Sequence, residues 1–130
     1  MRLSVSIPNR LAIRYLIAML DDSTRKHLLG LARQSIMHGF EHNSPMSSEK
    51  KEIPGSVPDE QGACFVTLTM DGALRGCIGS LEAHRSLRED VCQNAWAAAF
   101  RDPRFTPVTP DEMNHIQIEI SVLGPLEPLL

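Results

Sequence analysis

The pattern of hydrophobic and polar positions changes period several times along the chain. Leu28, Leu31, Ala32, Ser35, Ile36 and Phe40 recur at steps of three and four. That is the spacing of one helical face, and it predicts an amphipathic helix over about Ser23–Glu41. Ahead of it, Asn9 offers a cap for Arg10–Leu20. This segment is apolar nearly all round, so as a helix it would need burial or a partner. From His42 to Gln61 the apolar pattern lapses, and Pro45, Pro54, Gly55 and Pro58 predict a loop. It is long for a connection, which leaves room for local structure or function.

Alternation begins at Cys64. Cys64 to Met70 is rich in strand formers, Asp71-Gly72 is favoured turn chemistry, and Ala73 to Ser80 returns as a second strand. A two-residue loop pairs Met70 with Ala73, Leu68 with Arg75, Val66 with Cys77, and Cys64 with Gly79. Opposed residues share a face. Arg75 and Cys77 are then expected beside Val66, Leu68 and Met70, with Phe65, Thr67 and Thr69 opposite them. A three-residue loop would break this parity. Ser86 and Glu89 form a capping box ahead of a helix through Leu87, Val91, Cys92, Ala95, Trp96, Ala98 and Ala99, which Asp102-Pro103 ends. Thr109-Pro-Asp-Glu112 caps a short second helix. Ile116, Ile118, Ile120 and Val122 alternate with Gln117, Glu119 and Ser121 as a half-buried strand. Hairpin, helix, helix, strand is not a parallel-sheet rhythm. The expected fold is α+β, with a mainly antiparallel sheet flanked by helices.

Composition narrows the function. The chain has 130 residues, with 13 Lys plus Arg against 16 Asp plus Glu, a net charge of −3. With 42% hydrophobic and 22% charged residues, it reads as one ordinary globular domain. A mildly acidic chain is a poor binder of phosphate backbones, so nucleic acid is not expected. No apolar run approaches the roughly 20 residues of a membrane helix, because Arg14 interrupts Leu11–Leu20. No secretory signal is evident, and the three Arg among the first 20 residues read as a chance basic start rather than a transit peptide. Three Cys cannot all pair and none forms a Cys-x-x-Cys motif, against both a secreted disulfide framework and a zinc ribbon. The expected location is cytoplasmic.

Leu74-Arg75-Gly76-Cys77-Ile78-Gly79 is the first place that could carry chemistry. A guanidinium two residues from a thiol lies on the same strand face and favours the reactive thiolate. Glycines inside a strand suggest a bulge or close backbone approach. The plainer reading makes Cys77 a small buried hydrophobe and Gly76 and Gly79 packing devices. The second place is Phe100-Arg101-Asp102-Pro103-Arg104-Phe105. Arg101 and Arg104 could hold an anion or merely neutralise a helix C-terminus. Asp102 could be a base, a partner for Arg75, or a turn residue. His38-Gly-Phe-Glu41-His42 has the letters of an H-x-x-E-H zinc site. It lies at a helix end with no third ligand in view, so no metal is assigned. A Cys64–Cys77 disulfide is conceivable on the shared face but strained, and two buried thiols is the plainer outcome. Cys92 and Trp96 read as core, His27 and His115 as surface, and His84 as able to meet the Cys77 face.

Beyond its local patterns, the chain resembles the AMMECR domain family, also called AmmeMemoRadiSam system protein A. The resemblance rests on Leu-Arg-Gly-Cys-Ile-Gly, on Gly62–Leu68 ahead of it, and on Glu89–Ala95. It continues through Ala97-Ala-Ala-Phe-Arg-Asp-Pro-Arg-Phe105, Thr109–Glu112 and Ile118–Leu123. The helix Leu28–Ile36 resembles the family's first. Residues 1–20 fall outside the pattern as an extension, and 21–130 match a domain shortened at its C-terminal side. The resemblance implies an α+β fold with a cleft near the hexapeptide. It also implies two protein partners, one Memo-like and one a radical-SAM enzyme, and leaves the reaction and any cofactor open. Two functions follow. In an enzyme or enzyme component, Cys77 would be nucleophile or redox group and Arg75 would lower its pKa or bind an anionic substrate; Gly76 and Gly79 would shape the cleft, Arg101 and Arg104 would hold the anion, and Asp102 would orient one of them. In a non-catalytic adapter, Arg75, Arg101 and Phe105 would anchor the partners over a passive Cys77.

Overall fold

A computed structural model describes residues 22–47 and 62–123. The predicted 10–20 helix, the 1–20 extension and residues 48–61 of the 42–61 loop lie outside these residues. The elements in order are helix α1 (Asp22–His42), strands β1 (Ala63–Met70) and β2 (Ala73–Gly79), helix α2 (Leu87–Phe100), a 3-10 helix (Pro110–His115) and strand β3 (Ile116–Leu123). The sheet order is β2-β1-β3 and both pairings are antiparallel. The α+β expectation therefore holds.

α1 buries Leu28, Leu31, Ala32, Ser35 and Ile36, the face that the spacing predicts. Gly39 lets α1 pass close over α2, because a side chain there would meet the rings of Trp96 and Phe100. The hydroxyl of Ser35 donates to the Cys92 carbonyl at 2.7 Å and accepts from the Met46 N–H at 3.1 Å, which fixes α1 against α2 and the chain beyond His42. α2 starts where its capping box predicts, with the Ser86 hydroxyl accepting from the Glu89 N–H. Its Val91, Cys92, Ala95, Ala98 and Ala99 meet Cys64, Val66, Leu68, Ile116 and Val122 from the sheet. The small alanines let the helix lie close over the strands.

The hairpin turns on two residues, as its sequence predicts. Asp71 and Gly72 sit at φ 53° and 83°, the left-handed pair that a tight hairpin turn requires. The pairing then departs from the expected register. Thr69 faces Leu74, but Leu68 faces Gly76, so Arg75 is an extra residue bulged out of β2. Every later position on β2 changes face. Cys77 lies opposite Thr67, not Val66, and joins Ala63, Phe65 and Leu123 in a small cluster apart from the helices. Cys64 stays on the helix side. The two thiols therefore sit on opposite faces of the sheet, and the conceivable Cys64–Cys77 disulfide is ruled out by the bulge.

The bulge also brings Gly76 against α2. A Cβ there would run into the backbone carbonyl oxygen of Ala98, which cannot swing aside. Gly30 on α1 has open space around it. Replacing Gly76 with Ala is expected to destabilise by about 1–3 kcal/mol through overpacking. Gly30→Ala is expected to stabilise by about 0.5–1 kcal/mol through helix propensity. Urea midpoints of the two variants check this, and a Gly76→Ala midpoint equal to wild type would contradict it.

Candidate functional site

The bulge aims Arg75 away from the regular ladder and into the loop that follows α2. Its Nε and Nη2 donate to the two oxygens of Glu112 at 3.1 and 2.9 Å. Nη1 donates to the Thr106 carbonyl at 2.8 Å and Nη2 to that of Pro107 at 3.2 Å. Such a forked, charge-assisted pair is among the strongest polar contacts a protein makes. Glu112 also closes the second capping box by accepting from the Thr109 N–H at 3.0 Å. One carboxylate thus starts the 3-10 helix and ties it to β2. The Arg75 guanidinium holds the Glu112 carboxyl below its ordinary range. Arg75 is only 9% exposed and nearly all its donors are in use. The partner of Arg75 is Glu112, and Asp102 pairs elsewhere.

Asp102 serves the neighbouring position on β2. Its Oδ2 accepts the Cys77 N–H at 2.9 Å. Arg104 closes the pair by donating Nε to Oδ1 at 3.0 Å and Nη2 to Oδ2 at 2.8 Å, and it reaches the Cys77 carbonyl at 3.4 Å. β2 is an edge strand, and an edge strand offers backbone groups that need partners. The Asp102–Arg104 pair supplies one acceptor and one donor where a further strand would. Hydrogen bonding from Arg104 holds the buried Asp102 carboxyl well below the usual carboxylate range, and the same bond raises the Arg104 pKa.

The hexapeptide's remaining side chains are enclosed. Cys77 is 5% exposed and its sulfur lies 3.4 Å from the Thr67 hydroxyl. The Phe65 ring lies where a Gly79 side chain would be, as Ala98 does for Gly76. Among the candidate site residues, Arg75, Cys77, Asp102 and Arg104 converge on the β2 edge. Arg101 does not join them. It is exposed and its guanidinium carbon stands 4.8 Å from the Trp96 ring centroid, while that of Arg104 stands 5.4 Å from Phe105.

A second polar cluster escaped sequence reasoning. Asp90, fully buried on α2, accepts the Cys64 N–H at 2.8 Å and the Asn94 amide at 3.0 Å on one oxygen. The other oxygen accepts from the Ser80 hydroxyl at 2.9 Å and Arg85 Nε at 2.7 Å. Asn94 returns a bond to the Cys64 carbonyl at 2.9 Å. Two polar residues four apart on an otherwise apolar helical face were the available signal. Burial, with the Asp90 charge beside it, pushes the Cys64 thiol well up, which makes it an inert group.

Residues 29–130 match the model of the AMMECR1 family. The chain belongs to the AMMECR1 family. It is 44% identical over 85 residues to a protein of Methanothermobacter thermautotrophicus, covering 63% of this chain and 44% of that protein. It is 38% identical over 114 residues to one of Aeropyrum pernix, covering 85% and 48%. A crystal structure of an uncharacterised protein from Pyrococcus horikoshii shares the fold with a TM-score of 0.63 and 35% identity, over 75% of this chain and 50% of that one. The chain thus spans about half the length of the relatives it matches.

Other sequence candidates in this AMMECR1 chain take ordinary roles. His38 and His42 stack with ring centroids 4.1 Å apart, and their Nδ1 atoms face the carbonyls of Ser44 and His38. Among the described residues no three His, Cys, Asp or Glu side chains gather as a metal-holding group, and no helix is long and apolar enough to cross a membrane. His84 is exposed and bonds the Glu82 carbonyl.

Both Asp102 and Glu112 titrate lower in the folded chain than in the unfolded one, for which carboxyl values near 4 are ordinary. Between the two values the unfolded chain binds more protons, so stability is full above about pH 4 and falls as the pH drops below it. Asp102→Asn is expected to be less stable at pH 7 yet to lose less on acidification. Denaturant midpoints from pH 7 to pH 2.5 check this, and parallel acid slopes for variant and wild type would contradict it.

Proposed function

We propose that this AMMECR1-family chain is a cytoplasmic docking module of an AmmeMemoRadiSam-type system, binding the Memo-like protein or the radical-SAM enzyme rather than catalysing a reaction itself. One observation carries this reading. The polar groups of Arg75, Asp102 and Glu112 are spent on one another and on backbone, while Cys77 is enclosed. The unspent character lies at the end of α2, where exposed Arg101 stands over the Trp96 ring. Arginine and aromatic side chains dominate the energetics of protein interfaces.

The thiol-enzyme reading has one observation on its side, the Arg104 guanidinium bonded to the Cys77 carbonyl, which sets a cation beside the thiol's own strand. Arg75 and Gly76 would then shape the site, and no cofactor is assigned. Titration calorimetry with the Memo-like and radical-SAM proteins of the same organism separates the two. The docking reading expects Arg101→Glu to weaken one of these partners at least tenfold and Cys77→Ser to leave both unchanged. Partner binding that ignores Arg101→Glu, or turnover of the assembled system that Cys77→Ser abolishes, would overturn it.

A further inference from the structure

α1 ends on two histidines about one turn apart. His38 and His42 are four residues apart on one helical face, and their rings stack with centroids 4.1 Å apart and planes 14° from parallel. The chain just beyond them is held in place. Asn43 takes a left-handed φ of 54°, and its N–H donates to the Gly39 carbonyl at 2.9 Å. Met46 is tied back to Ser35. The Ser44 carbonyl then stands 3.0 Å from Nδ1 of His38, and the His38 carbonyl 3.3 Å from Nδ1 of His42. A carbonyl oxygen only accepts, so each Nδ1 carries a proton. In the neutral rings each Nε2 therefore carries a lone pair, and neither Nε2 bonds a described residue.

We propose that this pair binds one divalent transition-metal ion of the copper, nickel and zinc class through Nε2 of His38 and Nε2 of His42. A metal-binding histidine characteristically donates its other ring N–H to a backbone carbonyl or a carboxylate, which fixes its tautomer and aim. His38 has that support from Ser44 and keeps it when the ion binds. Face to face, the two rings do not yet aim at one point. The His42 bond is long and exposed, and histidine χ2 is a broad torsion, so the His42 ring turns out of the stack to bring its lone pair onto the same ion. The distances suit this step. An ion about 2.0–2.1 Å from each nitrogen holds the two nitrogens roughly 3–3.5 Å apart. The stack already holds the ring centres 4.1 Å apart.

Donor chemistry selects the ion. Imidazole nitrogens favour Cu²⁺, Ni²⁺ and Zn²⁺, whereas Mg²⁺ and Ca²⁺ take oxygen, and copper binds tightest of the divalent series. The place favours a cation too. The last carbonyls of α1 carry the negative end of the helix dipole, and exposed Glu41 adds a negative charge in the same turn. Glu41 is not a third ligand, because no three His, Cys, Asp or Glu side chains gather as a metal-holding group among the described residues. The ion is held by two protein donors and keeps its other positions for water. That sets the site apart from the three-ligand catalytic zinc of the H-x-x-E-H pattern. The inference is independent of the proposed docking through Arg101.

The probe is Cu²⁺ alone, added to the full chain at about pH 7.5. Titration calorimetry gives the affinity, and pulsed electron paramagnetic resonance counts the imidazoles on the ion. The first equivalent is expected to show two. His42→Ala, at an exposed position that the fold does not need, is expected to leave one imidazole and to weaken binding by at least about tenfold, because the second donor of a linked pair binds at high effective concentration. His38→Ala is expected to do the same. His84→Ala removes an exposed histidine elsewhere and is expected to change neither readout. Excess Mg²⁺ is expected not to compete. The proposal is overturned if the first equivalent shows a single imidazole or if His42→Ala binds as tightly as wild type. It is equally overturned if His84→Ala weakens binding as much as His42→Ala does, which would mean an adventitious ion only.

Discussion

The fold depends on buried carboxylates that take the place of missing strands. Asp90 is the deeper of the two. It is fully buried and accepts four hydrogen bonds, from Cys64, Asn94, Ser80 and Arg85. A carboxylate taken out of water is costly unless every lone pair is used, and here each oxygen has two donors. Those donors belong to the start of β1, the chain just past β2, the loop before α2 and α2 itself. Removing the carboxylate would release all four at once and leave the Arg85 charge and the Cys64 N–H without their acceptor.

Asp102 repeats the device further along the hairpin. It binds the Cys77 N–H, and Arg104 reaches the Cys77 carbonyl. Arg75 and Glu112 form a third tie, from the bulge to the start of the 3-10 helix. The edge of β2 is therefore closed by side chains and backbone of the 101–112 loop. This closure is why Leu-Arg-Gly-Cys-Ile-Gly reads differently in three dimensions than in sequence. Its arginine is an inward staple, its glycines give way to Ala98 and Phe65, and its thiol is packed. The opposite edge, at β3, has no such closure among the described residues.

Local signals in the sequence were read well where local chemistry decides the outcome. The α1 face, the Asp71-Gly72 turn, both capping boxes and the alternation of β3 follow from residues within a few positions of one another. What lay beyond reach were contacts over long separations. Gly76 hinted at a bulge, but nothing near Arg75 says that Glu112, far along the chain, would draw it out of the ladder. That one extra residue moved Cys77 to the other face and separated it from Cys64. The Asp102–Arg104 pair was visible as a local cluster, whereas its bond to the Cys77 backbone was not. Asp90 was hidden by its place in the first turn of a capped helix, where an acid is ordinary.

The hexapeptide is built as an internal clip, with its thiol enclosed and its arginine bonded inward. Alkylation of the native chain across a pH series, resolved for each cysteine by mass spectrometry, tests it most directly. Cys64 and Cys92, both fully buried, are the internal controls. Cys77 is expected to label as slowly as they do and to react only when the chain unfolds. Fast labelling of native Cys77, with a midpoint clearly below the ordinary thiol value of about 8.5, would contradict it and establish an accessible thiolate.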